Sequence, residues 1–119
     1  MNWFLAKIVY RIICGEGDHI PQFDEQLRLI AAPDNLAAFK KASAIGKQEE
    51  DSFYNKSGKL VQWKFVNVSE LDRIVELAAG VELYSRFEEW ENGDLYTEFV
   101  HEKAAGLQLS NVRQLLQVS

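Results

Sequence analysis

The sequence predicts an α+β fold: a mainly antiparallel sheet of about five to six strands, in the order ββαββ(α)ββα, with one main helix packed on one face. Three observations lead there. Apolar residues alternate with a two-residue period over 3–14, 23–32 and 60–68. One segment, 35–48, carries apolar residues at helical spacing behind a capping residue. Short turn signals separate the segments, so neighbouring strands are joined directly and run antiparallel.

Taken in order, Trp3 to Cys14 reads as a long strand. Phe4, Ala6, Ile8, Tyr10, Ile12 and Cys14 share one face, because successive side chains point to opposite sides of a strand. The other face mixes Lys7 and Arg11 with Trp3, Leu5, Val9 and Ile13, and is half wet or covered. Gly15 to Pro21 is a loop. From Phe23 to Ala32, Phe23, Leu27, Leu29 and Ala31 alternate against Asp24, Gln26 and Arg28. Asp34 or Asn35 then caps a helix to about Gln48, since a short polar side chain can accept from the unpaired amides of the first turn. Phe39, Ala42, Ile45 and Gly46 form its inward stripe, and Lys40, Lys41 and Lys47 face water.

A hairpin follows, with Ser52–Asn55 leading through Lys56-Ser57-Gly58-Lys59 into a strand over Leu60–Val68. Ser69–Ala79 reads as a short helix capped by Ser69 and ended by Gly80. Val81–Glu91 and Leu95–Lys103 read as a second hairpin. Parity favours a three-residue loop, Glu91-Asn92-Gly93, with Gly93 in the left-handed region. Ser110 caps a last short helix carrying Val112, Leu115 and Leu116.

At 119 residues, 47% hydrophobic and 26% charged, the chain reads as one globular domain over 1–119. Cys14 is the only cysteine, which excludes internal disulfides and cysteine-based zinc cages. Lys7 and Arg11 interrupt the apolar N-terminus, which argues against a secretory signal. No stretch approaches the roughly 20 apolar residues that cross a bilayer. The expected location is the cytoplasm. Net charge is −5 and unevenly placed: residues 1–60 hold eight basic and eight acidic residues, and residues 61–119 hold five and ten. With no basic face in the sequence, nucleic acid is not an expected partner.

Several segments together carry a resemblance: Trp3-Phe-Leu-Ala-Lys7, Glu25-Gln-Leu-Arg-Leu-Ile-Ala-Ala32, Gly58-Lys-Leu-Val-Gln-Trp-Lys-Phe-Val-Asn-Val68 and Gly80-Val-Glu-Leu-Tyr-Ser-Arg86. In this succession the chain resembles the small bacterial proteins grouped as domain of unknown function 4288, over roughly Trp3 to Glu89. The resemblance implies the α+β fold and cytoplasmic placement. It implies no activity, catalytic residue or cofactor.

Chemistry-bearing residues are few. Cys14 and His19 could form a nucleophile–base pair, but Glu16 and Asp18 disfavour a thiolate, and a cysteine on an apolar strand face ordinarily packs as a small hydrophobe. Two metal sets suggest themselves, His19 with Asp18 and Asp24, and His101 with Glu98 and Glu102. The second cannot converge from one strand, because neighbours point apart. No catalytic, metal or cofactor residue is therefore assigned, and a non-enzyme is favoured. The acidic hairpin, with its aromatic residues, is the candidate interaction surface: Tyr84, Arg86, Glu88, Trp90, Tyr96, Glu98 and Glu102. Acids there complement a basic protein partner, and Trp and Tyr are typical interface anchors. The face bearing Trp3, Leu5, Val9 and Ile13 suggests a homodimer as the other partner. The alternative function is a small-ligand pocket or minor enzyme between sheet and helix, using His101 or Tyr84.

Overall fold

The computed structural model describes the backbone of residues 1–118 and the side chains of residues 1–110. The chain forms two compact units, Met1–Ser85 and Arg86–Ser119.

The first unit contains β1 (Asn2–Cys14), β2 (Gln22–Ala32), α1 (Asn35–Gln48), β3 (Asp51–Tyr54) and β4 (Leu60–Ile74). The strands form one antiparallel sheet in the order β2-β1-β4-β3. β1 is thus central, and it buries the face anticipated from its alternation: Phe4, Ala6, Ile8 and Tyr10 are all nearly inaccessible. α1 covers part of that face. Its Ala38 and Ala42 join Phe4, Ala6, Ile30 and Ala32 in the core, with Ile45, Val68 and Leu71 packed around them. The contact stripe is Ala38, Ala42 and Gly46. Phe39, expected to point inward, is exposed, because the small residues one position earlier let the helix lie closer to the sheet. The cap is as anticipated: Asp34 Oδ1 accepts from the Ala37 amide at 2.8 Å.

Among the described residues there are four strands where five to six are expected, and the second half holds one long helix where two short ones are expected. The segment read as a helix from Ser69 continues β4 through Ile74. Two irregularities in the β1–β4 ladder explain the misreading. Ile8 pairs with Val68 and Lys7 with Glu70, so Ser69 has no partner opposite; likewise Val66 is skipped between Asn67 and Phe65. An extra residue in a strand lets side chains three apart share a face, and Val68 and Leu71 therefore mimic a helical spacing.

On the opposite face of the sheet, expected to be half wet or covered, Lys7 is buried. Its ammonium donates to the Tyr84 hydroxyl at 3.1 Å and lies 3.5 Å from Glu70 and 4.0 Å from Glu25. Tyr84 belongs to the segment after β4, which turns at Gly80, where φ is +82°, a value glycine adopts without strain. The hydrogen bond to Tyr84, opposed by burial, holds the Lys7 ammonium above its ordinary pKa, with Glu70 adding to it.

The second unit holds α2, Gly93–Val118. The second hairpin does not form: residues 81–90 have no regular structure, and Gly93 opens a helix and has no positive φ. Asn92 is the reason. Its side chain accepts from the Leu95 amide at 3.1 Å and its carbonyl from Tyr96 at 3.3 Å, making it a helix cap. Asp94 in the first turn adds a favourable charge–dipole interaction. Ser110 lies inside α2, and the side chains of Val112, Leu115 and Leu116 fall outside those described. No described helix is long and apolar enough to cross a membrane.

Candidate binding site

Alternation in β2 sets Asp24, Gln26 and Arg28 on the same face as Ile30 and Ala32, since directly paired residues share a face. Tyr10 pairs with Asp24, Ile8 with Gln26 and Ala6 with Arg28. Near α1's N-terminal half this face is apolar. Beyond the helix's end it becomes polar, and a cavity of about 380 Å³ opens there, lined by Tyr10, Gln26, Arg28, Glu49, Asp51, Phe53 and Trp63.

The polar side chains form one hydrogen-bonded chain. Trp63 Nε1 donates to Asp24 Oδ2 at 3.1 Å, and Gln26 Nε2 donates to the same oxygen at 2.7 Å. Gln26 Oε1 accepts from Arg28 Nε and Nη2 at 3.1 and 2.7 Å, and Arg28 Nη2 meets Glu49 Oε2 at 2.5 Å. The chain therefore runs from β4 through β2 to the residue that caps α1. Networks of this kind hold each member in one orientation. Tyr10 anchors the floor by donating to the Gly46 carbonyl at 2.8 Å. Phe53 and Trp63 form one wall, stacked with centroids 5.9 Å apart and planes 27° apart. Burial pushes the Tyr10 hydroxyl above its ordinary pKa; Glu49, Glu50 and Asp24 add to the rise and Arg28 opposes it.

None of these residues is picked out as a site by the sequence. The available signal is the alternation of Asp24, Gln26 and Arg28 with Phe23, Leu27 and Leu29 in one strand, and it does not say which face turns inward.

The residues singled out from sequence are distributed as follows. Tyr84 lies in the first unit on Lys7, with the ammonium 5.0 Å from its ring centroid. Arg86, Glu88, Trp90 and Tyr96 come together in the second unit. Arg86 pairs with Glu88, Trp90 Nε1 donates to Glu88 Oε2 at 3.2 Å, and the Trp90 ring packs on Tyr96 and Phe99 at 4.8 and 6.4 Å. Glu98 and Glu102 lie one turn apart on α2, exposed. Of the face suggested for a homodimer, Leu5 is buried, Val9 and Ile13 are half-buried and Trp3 is exposed.

Cys14 and His19 meet, but not as nucleophile and base. His19 Nε2 accepts the Cys14 backbone amide at 3.0 Å, which places the ring proton on Nδ1, 2.9 Å from the Ile20 carbonyl. With both ring nitrogens engaged, His19 holds the loop. The Cys14 thiol, half-buried where a buried position is expected, accepts from Asn55 Nδ2 at 3.6 Å. Among the described residues no three His, Cys, Asp or Glu side chains are grouped to hold a metal.

The family described as domain of unknown function (DUF4288) matches residues 3–85. The chain belongs to that family. The match ends where the first compact unit ends, so the DUF4288 domain comprises the sheet, α1, the Tyr84 clasp and the cavity, while α2 lies beyond it. The family description assigns no function. No curated protein and no solved structure matches the chain.

Proposed function

We propose that this DUF4288 protein is a non-enzymatic interaction module of the bacterial cytoplasm whose acidic, aromatic segment after residue 85 docks on a basic-rimmed apolar groove of a protein partner. One observation carries the reading. From Arg86 to Ser110 every residue is exposed, including Phe87, Trp90, Leu95, Phe99, Val100, Leu107 and Leu109. Apolar side chains in such number on one helix and its leader are normally covered. The same stretch holds six Asp/Glu against two Lys/Arg, so the covering surface is basic at its rim. Trp90, with Tyr96 and Phe99 against it, is the anchor.

The test uses the full chain as bait, with Glu88→Gln/Glu98→Gln and Trp90→Ala beside the wild type. A partner held through this segment should be captured by the wild type and depleted by both variants. Kinetics on it should show a salt-dependent slower on-rate for the charge variant and a faster off-rate for Trp90→Ala, about thirtyfold for a hot-spot aromatic. Equal capture by all three chains would refute the segment as the docking surface.

A second reading, a small-ligand site between sheet and helix, is favoured by the cavity at the end of α1. Its size falls within the range of small-molecule sites, and polar groups converge on it beside an aromatic wall.

A further inference from the structure

We propose that the cavity at the end of α1 binds a guanidinium group, stacked on the Phe53–Trp63 wall and bonded to the carboxylates of Asp51 and Glu49. This rests on the second reading above, that the cavity is a binding site at all, and it names what the site selects.

The charge of the lining decides the sign of the ligand. Among the described residues Arg28 is the one cation lining the cavity, and it is already committed to Gln26 and Glu49. Against it stand Glu49 and Asp51 in the lining and Asp24 directly behind, hydrogen-bonded to Trp63. Glu50 lies next to these and accepts the Phe65 amide at 3.0 Å. An anion would meet these carboxylates, and among the described residues lining the cavity no uncommitted cation offsets them. A cation meets the reverse, and the direction in which the surrounding charges move the Tyr10 hydroxyl agrees.

The wall decides the shape. An aromatic face carries negative charge density and attracts cations, arginine-type ones above all because they are flat and weakly hydrated. Phe53 is 47% exposed, so the wall is open to a ligand although Tyr10 below it is closed off. A planar fork also suits the acceptors. Asp51 takes the Ser52 amide through Oδ1 and Glu49 takes Arg28 through Oε2, which leaves each carboxylate its other oxygen. Arg28 shows within the same site how a guanidinium fits, forking onto Gln26 and Glu49. At about 380 Å³ the space takes a head group, whether of a free guanidino compound or of an arginine side chain on a peptide.

The experiment follows the Trp63 indole N–H by NMR on the full chain, its signal assigned by Trp63→Phe. Probes are methylguanidine, free arginine, a blocked Gly-Arg-Gly peptide, methylurea as the neutral isostere, butylamine and acetate. The expected result is a saturable shift with methylguanidine, weakened by salt. Asp51→Asn should weaken it by about tenfold or more, as for loss of a charge-assisted hydrogen bond. Asp51 is exposed at the sheet edge, and Phe53→Ala, which removes one ring of the wall but no donor or acceptor of the hydrogen-bonded chain, is the second variant and should weaken the shift likewise. Tighter binding of free arginine identifies a small-molecule ligand, and tighter binding of the peptide identifies a protein arginine. Equal binding of methylurea or butylamine, or preference for acetate, overturns the guanidinium assignment and leaves the cavity a binding site. No shift with any probe overturns both.

Discussion

Gly46 tests the packing that positions the cavity. In an exposed helix interior, Gly→Ala stabilises by about 1 kcal/mol, because alanine loses less backbone freedom on folding. At Gly46 the opposite should hold. A methyl built there falls 2.5 Å from Phe65 Cδ1 and 3.1 Å from Cζ, where carbon atoms ordinarily sit about 3.5–4.0 Å apart. The ring has reason to stay: it packs edge-on against Tyr10, centroids 6.1 Å apart, and Tyr10 bonds the Gly46 carbonyl. Overpacking costs about 1–3 kcal/mol, and disturbing the aromatic pair about 0.5–1.5 kcal/mol more. After the propensity gain, Gly46→Ala should lose on the order of 2 kcal/mol, lowering the melting temperature by roughly 10 °C for a domain of this size. Urea and thermal unfolding measure it. Placed on a Phe65→Ala background, the same change should become stabilising by about 1 kcal/mol, because only the propensity remains. A Gly46→Ala single variant as stable as the wild type would refute the close approach of α1 to β4.

Two further outcomes follow from the same unit. Asp34→Ala should destabilise by about 1 kcal/mol in urea unfolding, since it removes the acceptor of the Ala37 amide at the start of α1. In alkaline solution stability should fall. The Tyr10 hydroxyl is raised above 10.0 by burial and the Lys7 ammonium above 10.5 by its bond to Tyr84, so the folded chain holds both protons more tightly than the unfolded chain. Their contribution is complete below about pH 10 and is lost as pH rises through the shifted values. Urea midpoints from pH 9 to 12 should show that limb, flattened in Tyr10→Phe and in Tyr84→Phe; an unchanged limb in both would count against the assignment.

What could be read from the sequence follows from how local each signal is. The α1 cap depends on residues three apart, and the β3–β4 turn on Asn55 and Gly58, whose φ is +77°. Both are visible in a short window. The buried face of β1 shows because no bulge interrupts its alternation. β4 fails in its second half because the residues at Val66 and Ser69 shift the parity, and that shift exists only against β1. The cavity is hidden for a related reason. Asp24, Gln26 and Arg28 alternate cleanly, but the register that pairs Tyr10 with Asp24 is what turns the polar set toward the helix side. An amphipathic strand read alone invites the assumption that its apolar residues face inward; here Phe23, Leu27 and Leu29 are the exposed ones.

The segment from Leu95 to Lys103 shows how one composition can satisfy two periods. Leu95, Thr97, Phe99 and His101 alternate as a strand would, and Asn92-Gly93 is a strong hairpin signal. Yet Leu95 and Phe99, Tyr96 and Val100, and Phe99 and Lys103 are each four apart, and the last pair is in contact, with the ammonium 4.4 Å from the ring. Asparagine before a glycine and an aspartate is equally a helix cap. A hairpin would have placed its acids on one face and its aromatic residues beside them. The helix separates Glu98 and Glu102, which lie one turn apart, from the leader that carries Arg86, Glu88 and Trp90, and Trp90 reaches across to Tyr96 and Phe99. The proposed anchor shares the leader with Glu88, which its indole N–H meets, while Glu98 and Glu102 sit on the helix. Trp90→Ala and the glutamate substitutions should nonetheless act on different rate constants, because a desolvated aromatic anchor governs dissociation and long-range charge governs encounter.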